Sequence, residues 1–512
     1  MSAKTITKGI VSVGTWSATK LVVTGLVLPI YSRILGIDGY GQYAYYVALL
    51  LISSHPANFG MRHALTKYIA ERPNDRVWQE RLAELAAAVN TVSAGIVGGA
   101  VLLILLAGAG FSPQALIVAA VVVGILWCEQ ASLYASGILY GLHREEEATL
   151  PASLGVIVGA AVGAGLVTTG FGVLGALSGM LCSGVLVAAI TLRRSRRAIH
   201  DAPDTGNDEP IPRRAFMHFG MSTMAYAGVA MMLYSIDILL VRHFSGDQQT
   251  GFYAAAVQWS EFVWFLPIAI EGVMVQSTAH LWVRGQVEEI TRLVSRLMRY
   301  VAMTTAFLLI FVLAFAEHIV TVYFGPEFQG ATLPLQLLIP GAFAFSLARV
   351  IRPVIQAHGW VVTLLKIVFA ATVMNILLNV AFVPRWGAAG AAVATSVSFI
   401  GVAMVYVRLL QEEGAHPFQG FSWGRFMLLC AGTSAVLVPI AKAISVPLVA
   451  LTVGGIVAFG LYWGGVFRLG LIRLRELEQM VDSLPGPIRR IAISLMHLLQ
   501  PILVRLGATA AN

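Results

Sequence analysis

Long apolar runs recur along this sequence, separated by short polar segments. A helix needs about 20 mostly apolar residues to cross a bilayer, and a scan at that length gives about fourteen candidate spans. Only 12% of the residues are charged, about half the usual share in a soluble domain. The sequence therefore predicts an all-α integral membrane protein. The expected spans are 9–32, 40–63, 85–108, 114–139, 150–169, 172–192, 215–241, 251–280, 297–317, 333–355, 361–383, 387–407, 425–441 and 446–467.

The basic residues are distributed unevenly between the predicted loops. With a cytoplasmic N-terminus, about 27 of the 34 lysines and arginines fall on the cytoplasmic side and about four on the external side. Short cytoplasmic loops are enriched in these residues, so this orientation is favoured. An even number of spans then places the C-terminus in the cytoplasm too. Contact with anionic lipid accounts for the net charge of +8, and nucleic-acid binding is not needed to explain it.

Two similar short segments recur about 210 residues apart, which indicates an internal repeat. They are RILGIDGYGQY at 33–43 and RHFSGDQQTGFY at 242–253, and each separates two apolar runs. Further matches follow in the same order, with a slowly drifting offset. The matched positions are Arg33 with Arg242, Gly41 with Gly251, Tyr43 with Tyr253, Pro56 with Pro267, Gly60 with Gly272, and GVLGA at 172–176 with GAAGA at 387–391. We expect Gly41 and Gly251 to permit tight external turns, and the tyrosines to anchor at the membrane interface.

The repeat predicts two six-helix lobes. Because six is even, both copies enter the membrane the same way round, related by a pseudo-twofold axis along the membrane normal. A terminal helix pair follows. The expected parts are an N-lobe at 1–192, a cytoplasmic linker at 193–214, a C-lobe at 215–410, spans 13 and 14 at 411–467, and a cytoplasmic amphipathic tail at 468–512. Two such lobes suggest alternating access. The prolines Pro29, Pro56, Pro267 and Pro340 are either hinges for that motion or kinks tolerated in lipid.

Three segments carry a resemblance to a known family. The pattern R-x-L-G-x-x-x-x-G-x-Y at 33–43 is followed by FGMRHALTKYIAE at 59–71, and SIDILLVRHFSGDQQTGFY stands at 235–253. Together they resemble the polysaccharide-biosynthesis flippases, the oligosaccharide-lipid exporters of the multidrug/oligosaccharidyl-lipid/polysaccharide (MOP) superfamily. The resemblance covers about residues 8–410, and the span count agrees with it.

The resemblance implies a V-shaped transporter of the plasma membrane. It would move a polyprenyl-linked oligosaccharide from the cytoplasmic to the external leaflet for surface polysaccharide assembly. The family's lumen is often cationic, which complements the diphosphate of the lipid, and several members are driven by ion gradients. The resemblance thus implies no cofactor beyond H⁺ or Na⁺ coupling. We expect a monomer in contact with membrane lipids, with glycosyltransferases or a polymerase as partners.

Basic residues within or beside the spans are candidates for binding an anionic substrate. Lys20, at the centre of span 1, either meets the diphosphate or pairs with a nearby carboxylate. Arg349 and Arg352 share one face of span 10, and either line the cavity or extend to the cytoplasmic headgroups. Arg33 and Arg242, at the external ends of spans 1 and 7, either guide the exported headgroup or anchor the interface.

Acidic residues within the spans are candidates for ion coupling. Asp237 matches the acidic position of the resembled family in span 7, where it would bind a cation or proton, or pair with Lys20. Glu129, Glu261 and Glu271 are either proton relays or ion-pair partners. Two further polar residues, Asn375 and Asn379, form a stripe on span 11 that favours hydrogen bonding between helices.

Other functions are disfavoured by the sequence. A multidrug or cation exporter of the same superfamily is the first alternative, but such proteins typically have twelve spans and a more acidic cavity. A membrane-embedded polysaccharide polymerase is a second alternative, yet the longest predicted external loop has only about 15 residues, little room for a catalytic element. The sequence contains no HExxH motif, no Walker A loop and no cysteine cluster. We therefore predict a transporter rather than an enzyme, with no metal site.

Overall fold

The structure, a computed structural model, describes residues 3–203 and 210–472, and their regular secondary structure is helical. The α-helices are α1 Ala3–Asn58, α2 Met61–Glu71, α3 Arg76–Ala109, α4 Pro113–Gly141, α5 Glu145–Leu166, α6 Gly172–His200, α7 Arg213–Phe262, α8 Phe265–Val283, α9 Val287–Ala314, α10 Ala316–Tyr323, α11 Thr332–Ala357, α12 Val361–Glu412, α13 Trp423–Ala443 and α14 Pro447–Arg468. A π-helical turn, Val167–Phe171, joins α5 to α6, and a 3₁₀ turn, Pro326–Ala331, precedes α11.

Within the described residues, ten helices are long and apolar enough to cross a membrane. This confirms a multi-pass, all-helical membrane protein. Four of the ten have between 41 and 56 residues. A straight helix of 50 residues would measure about 75 Å, against about 30 Å for the hydrocarbon core. These four are Ala18–Asn58, Glu145–His200, Arg213–Phe262 and Val361–Glu412.

Each of the four long helices is interrupted at a glycine with positive φ, a backbone region that favours glycine. Gly36 has φ 68° and ψ −175°, and Gly246 has φ 81° and ψ −177°. Gly172 has φ 55° and ψ −140°, and Gly387 has φ 54° and ψ −131°. In the repeated segments, Gly36 corresponds to Gly246 and Gly172 corresponds to Gly387. The two sequence copies therefore turn in the same way at these corners.

The prediction that Gly41 and Gly251 form the external turns is wrong. Both lie inside helices, and the chain turns instead at Gly36 and Gly246. A Cβ atom on Gly41 would overlap the carbonyl oxygen of Asp247, and one on Gly251 would lie 2.5 Å from the carbonyl oxygen of Ile37. These two glycines are needed because α1 and α7 approach each other backbone to backbone.

The structure bears on several other sequence predictions. The side chain of Tyr253 is only 1% exposed and its hydroxyl bonds to a buried carboxylate, so it is no interfacial anchor. The expected linker at 193–214 is partly helical, because α6 continues to His200 before α7 begins at Arg213. The expected external loop at 318–332 contains most of α10 and a 3₁₀ turn. Nearly all of the predicted tail at 468–512 lies outside the described residues.

The described residues fall into two compact units. The first runs up to Ala254 and includes Val368–Ala391, and the second comprises Ala255–Ile367 and the residues from Ala392 onward. In the first unit, α5 packs closely on α6, because a Cβ on Gly159 would lie 2.7 Å from the carbonyl oxygen of Gly179. Small residues allow such close packing where the hydrophobic effect does not drive helices together.

The second unit holds its helices together partly through buried hydrogen bonds. The hydroxyl of Tyr462 on α14 donates to the carbonyl oxygen of Met303 on α9 at 2.8 Å. A Cβ on Gly341 of α11 would lie 3.0 Å from the Ser396 Cβ of α12, so these two helices also touch closely. The lobes expected from the sequence, 1–192 and 215–410, stay a prediction.

Candidate functional site

Asp237 lies deep in the first unit, where its side chain is 1% exposed. Its carboxylate accepts a hydrogen bond from the Tyr253 hydroxyl at 2.8 Å and another from the Asn379 amide at 2.8 Å. The same amide donates to the carbonyl oxygen of Asn375 at 2.9 Å. The asparagine stripe predicted on span 11 therefore does bond between helices, and one of its partners is the predicted acidic site.

This arrangement suits a small cation or a proton. A buried carboxylate is costly without compensation, and the two hydrogen bonds named above come from neutral groups. Among the described residues, the Asn379 side-chain oxygen and the Asn375 side-chain nitrogen are buried without a hydrogen-bond partner. Carboxylate and amide oxygens are the ligands that hard cations prefer. Asp237 supplies carboxylate oxygens and Asn379 an amide oxygen, and both side chains are buried.

Glu129 and Lys20 form a second polar site in the first unit. The Ser54 hydroxyl donates to the Glu129 carboxylate at 2.9 Å, and the Gln130 amide donates to the Ser54 carbonyl oxygen at 3.3 Å. The charge of Lys20 acts on the Glu129 carboxylate, while its ammonium lies 5.7 Å from the centre of the Trp16 ring. Because Lys20 is exposed on α1, its ammonium remains accessible to a ligand.

The second unit contains an ion cluster made of three predicted residues. Glu271 on α8 is 3.1 Å from the Arg349 guanidinium, and it also contacts the Arg352 guanidinium. The side chains of Glu271, Arg349 and Arg352 are 12%, 14% and 30% exposed, respectively. Two guanidiniums therefore share the carboxylate of Glu271.

Aromatic rings hold Arg349 in position. Its guanidinium lies 4.9 Å from the centre of the Trp264 ring and 5.3 Å from that of Phe345. The Trp264 ring is itself fixed, because its indole N–H donates to the carbonyl oxygen of Ala342 at 3.2 Å. Glu261 also acts electrostatically on Arg349. Cation–π contact and carboxylate pairing together give this arginine a defined orientation.

Arg242 lies on α7 before the turn at Gly246, and its side chain forms an ion pair and a cation–π contact within the protein. Its guanidinium is 2.7 Å from the Asp247 carboxylate and 4.0 Å from the centre of the Tyr45 ring. Asp247 also accepts a hydrogen bond from the Gln42 amide at 2.8 Å. These contacts join α7 to α1 beside Gly41 and Gly251. Its counterpart Arg33 is exposed on α1.

A profile of the family described as "Polysaccharide biosynthesis protein" matches residues 6–264, just over half of the sequence. The chain belongs to this family. The match includes the first repeat corner and six of the nine candidate site residues: Lys20, Arg33, Glu129, Asp237, Arg242 and Glu261. The resemblance noted in the sequence is thereby confirmed.

Two relatives of this polysaccharide biosynthesis family member are archaeal. The uncharacterized membrane protein MJ1068 of Methanocaldococcus jannaschii is 22% identical over 273 residues, which cover 53% of this chain and 54% of that protein. The chain thus spans about half the length of this relative. The probable low-salt glycan biosynthesis flippase Agl15 of Haloferax volcanii is 23% identical over 401 residues, covering 76% of this chain and 80% of that protein.

Solved structures share the fold of this family member. The lipid II flippase MurJ, in an inward closed conformation, superposes with a TM-score of 0.66 at 14% identity, covering 90% of this chain and 99% of that one. An inward-facing multidrug resistance MATE family transporter of the MOP superfamily gives 0.59 at 16% identity, covering 77% and 97%. A MOP superfamily transporter from Pyrococcus furiosus gives 0.55 at 14% identity, covering 79% and 95%. These likenesses establish the fold.

Sequence reasoning missed several polar residues of these sites. Asn90 donates to the Gln130 carbonyl oxygen at 3.5 Å, and its own side-chain oxygen accepts from Asn58 at 3.4 Å. Both asparagines interrupt apolar runs, so the criterion that selected Asn375 and Asn379 would have found them. Trp264 gave no comparable signal, because tryptophan is common in membrane helices.

Proposed function

We propose that this protein is a flippase that moves a lipid-linked oligosaccharide from the cytoplasmic to the external leaflet of the plasma membrane. The observation that carries the proposal is the family match over residues 6–264. Agl15 is named as a glycan biosynthesis flippase, and MurJ as a lipid II flippase. Surface polysaccharide assembly is the proposed setting. Glycosyltransferases or a polymerase acting on the same glycan are the proposed partners.

The proposed architecture has fourteen crossings in two like-oriented lobes plus a terminal pair. Counting each of the four long helices twice, because each turns at a glycine, raises ten spans to fourteen. The contact between Gly41 and Asp247 supports a pseudo-twofold axis, because its counterpart joins Gly251 to Ile37. At the repeat offset of about 210 residues, Gly41 corresponds to Gly251, and Ile37 corresponds to Asp247. Such reciprocal contacts are the mark of a twofold relation. Both termini are placed in the cytoplasm.

Alternating access would use two close helix contacts of α7. One lies near the start of the helix, and the other lies just after its turn at Gly246. At one end, a Cβ on Gly60 would overlap the carbonyl oxygen of Gly220. At the other end, Gly41 and Gly251 meet the backbone of the opposite repeat copy. We name these the inner and outer glycine contacts. In the proposed cycle, one opens while the other stays closed.

Cationic side chains would bind the phosphate groups of the substrate. Lys20 is the proposed first contact, since its ammonium is exposed. Arg349 and Arg352 supply the second cationic site, where their two guanidiniums share the Glu271 carboxylate. Arg33 and Arg242 are the proposed contacts at the external ends of their helices.

Lys20→Ala is expected to slow glycan export by at least tenfold, because a hydrogen bond to a charged group contributes about 1.5–3 kcal/mol. Lys20→Arg, which keeps the charge, is the matched control and should retain most of the activity. The measurement is the amount of lipid-linked glycan on the inner face of cells that lack the gene and carry each variant.

The outcomes separate the function from the role of Lys20. Full export by Lys20→Ala would remove Lys20 from the substrate path and leave the flippase intact. Failure of the wild-type protein to relieve accumulation, or glycan elongation by the purified protein, would overturn the proposed function. Export of organic cations without any effect on glycan would favour a multidrug exporter.

Asp237 is the proposed site of coupling to an H⁺ or Na⁺ gradient. Its carboxylate is buried, and Asn379, whose amide donates to it, has a buried side-chain oxygen without a hydrogen-bond partner among the described residues. Cation binding or protonation would neutralise the charge and change its hydrogen bonds to Tyr253 on α7 and Asn379 on α12. Glu129, Glu261 and Glu271 are the other coupling candidates, but each has a hydrogen-bonding or basic neighbour already described.

Asp237→Asn is expected to abolish the acceleration of export by an imposed ion gradient, because the amide neither titrates nor carries charge. Export would be measured in proteoliposomes with a Na⁺ gradient and, separately, with a pH gradient. Asp38→Asn, which alters an exposed aspartate of α1, is the control. A variant that still responds to both gradients as the wild type does would exclude Asp237 as the coupling site.

A further inference from the structure

A groove of about 720 Å³ lies where α7 begins, beside α2. It belongs to neither the Asp237 site nor the Lys20 site. The start of α7 lies close to the end of α1 here, since Gly220 packs against the Phe59 carbonyl oxygen. The groove is lined by Lys67, Tyr68, Pro212, Arg213, Arg214, Ala215, His218, Phe219 and Ser222.

The groove concentrates positive charge. Lys67, Arg213 and Arg214 are exposed, and within residues 3–203 and 210–472 none of them pairs with a carboxylate. Other basic residues nearby in the sequence do find acids: Arg76 is 2.7 Å from Glu80. Lysine and arginine near a membrane surface attract anionic headgroups, and arginine can grip phosphate with two parallel hydrogen bonds.

Buried aromatic rings fix one wall of the groove. The Lys67 ammonium lies 5.0 Å from the centre of the Tyr68 ring and 4.6 Å from that of Phe219. Tyr68 is 6% exposed and packs edge-on against Phe216 at 5.4 Å between ring centres. The long Lys67 side chain therefore rests on a rigid surface, so less conformational freedom is lost when it binds a ligand.

The helix itself adds to the positive potential. The first backbone N–H groups of a helix have no partner within it, and the helix dipole places partial positive charge at that end. Arg213 and Arg214 occupy the first two positions of α7. The positive end of the helix dipole and two arginines thus lie at one end of the groove, which suits an anion with several oxygens.

We propose that this groove binds a phosphate-bearing anion and that the headgroup of an anionic phospholipid is its main ligand. The groove opens at the first turn of a candidate membrane span, where headgroups lie. Met221, beside the lining residue Ser222, is 47% exposed and offers apolar surface to an acyl chain. This site does not depend on the proposed function, because no glycan or transport step enters the argument.

The test measures binding to the full-length protein in detergent micelles. The ligands are phosphatidylglycerol, phosphatidylcholine and inorganic pyrophosphate, followed by native mass spectrometry or by thermal stabilisation. The variant is Lys67→Gln with Arg214→Gln. The matched control, Arg193→Gln with Arg197→Gln, removes two exposed cations from the end of α6.

We expect phosphatidylglycerol to bind and phosphatidylcholine to bind much more weakly. Each basic residue near the surface contributes about fivefold to affinity, so the Lys67 and Arg214 variant should bind about 25-fold more weakly. The control should stay within about twofold of the wild type. A charge-conserving pair, Lys67→Arg with Arg214→Lys, should bind like the wild type and shows that the groove still folds.

Pyrophosphate distinguishes the two sources of phosphate. Competition between pyrophosphate and phosphatidylglycerol would show that the phosphate itself is recognised, whereas binding of pyrophosphate alone would assign the groove to a soluble phosphate compound. Equal affinity for the two lipids, equal loss in the control variant, or binding of neither anion would overturn the proposal. None of these results bears on glycan export, so the two proposals can fail separately.

Discussion

Gly41→Ala is expected to lower the free energy of unfolding by about 2 kcal/mol and to slow glycan export by at least tenfold. The added methyl group would overlap the carbonyl oxygen of Asp247, and both atoms belong to helix backbones that have little freedom to yield. The helices must therefore separate at the outer glycine contact. That separation would also strain the hydrogen bond from Gln42 to Asp247.

Two further variants make this experiment specific. Gly99→Ala on α3 is the control, because a Cβ there meets no atom within 4 Å and alanine favours a helix by up to about 1 kcal/mol. Gly251→Ala should reproduce the defect of Gly41→Ala, since the contact is reciprocal. Unfolding by denaturant and export from proteoliposomes are the two measurements. Equal stability and export in Gly41→Ala and Gly99→Ala would contradict the outer contact as a tight packing point.

Gly60→Ala provides the contrasting case. It would force apart the inner contact with Gly220 and leave the outer contact intact. If the two contacts act as alternating gates, a thiol reagent added outside should label an engineered cysteine near the outer contact faster in Gly41→Ala than in Gly60→Ala. The opposite order would argue against alternating gates at these glycines.

The sequence predicted the helical membrane class because apolar runs of bilayer length leave few other solutions. It also identified the corners, since the repeated segments at 33–43 and 242–253 contain Gly36 and Gly246. The roles of the glycines within each segment were assigned wrongly. A turn and a close helix contact both require a residue without a side chain, so composition alone does not distinguish Gly36 from Gly41.

The sequence could not predict contacts between residues that are far apart in the chain, for a different reason. Asp247 and Gln42 are 205 positions apart, and each is unremarkable in its own segment. By contrast, Glu271 and Arg349 were both selected because charge within a span is costly. That criterion finds the members of an ion cluster but not the pairing, which depends on how α8 and α11 rotate against each other.

Glu271→Ala is expected to cause the greatest loss of stability among these variants, about 3 kcal/mol. The substitution removes the carboxylate that Arg349 and Arg352 share inside the second unit. The value lies at the low end of the range for buried ion pairs because Arg352 is 30% exposed and partly solvated. Denaturant unfolding of the purified protein measures it, and a loss below about 1 kcal/mol would show that the cluster contributes little to stability.

A triple variant then decides whether the arginines act on the substrate. Replacing Glu271, Arg349 and Arg352 with methionine removes all three charges, so no buried charge is left without a counter-ion. The free energy of unfolding should therefore return to near the wild-type value. A purely structural cluster predicts that export returns as well. A phosphate-binding cluster predicts a stable protein that exports at least tenfold more slowly, because the two guanidiniums of the second unit no longer offset the diphosphate. Recovery of both properties would therefore remove Arg349 and Arg352 from the substrate path and leave Lys20 as the principal cation in the proposed lumen.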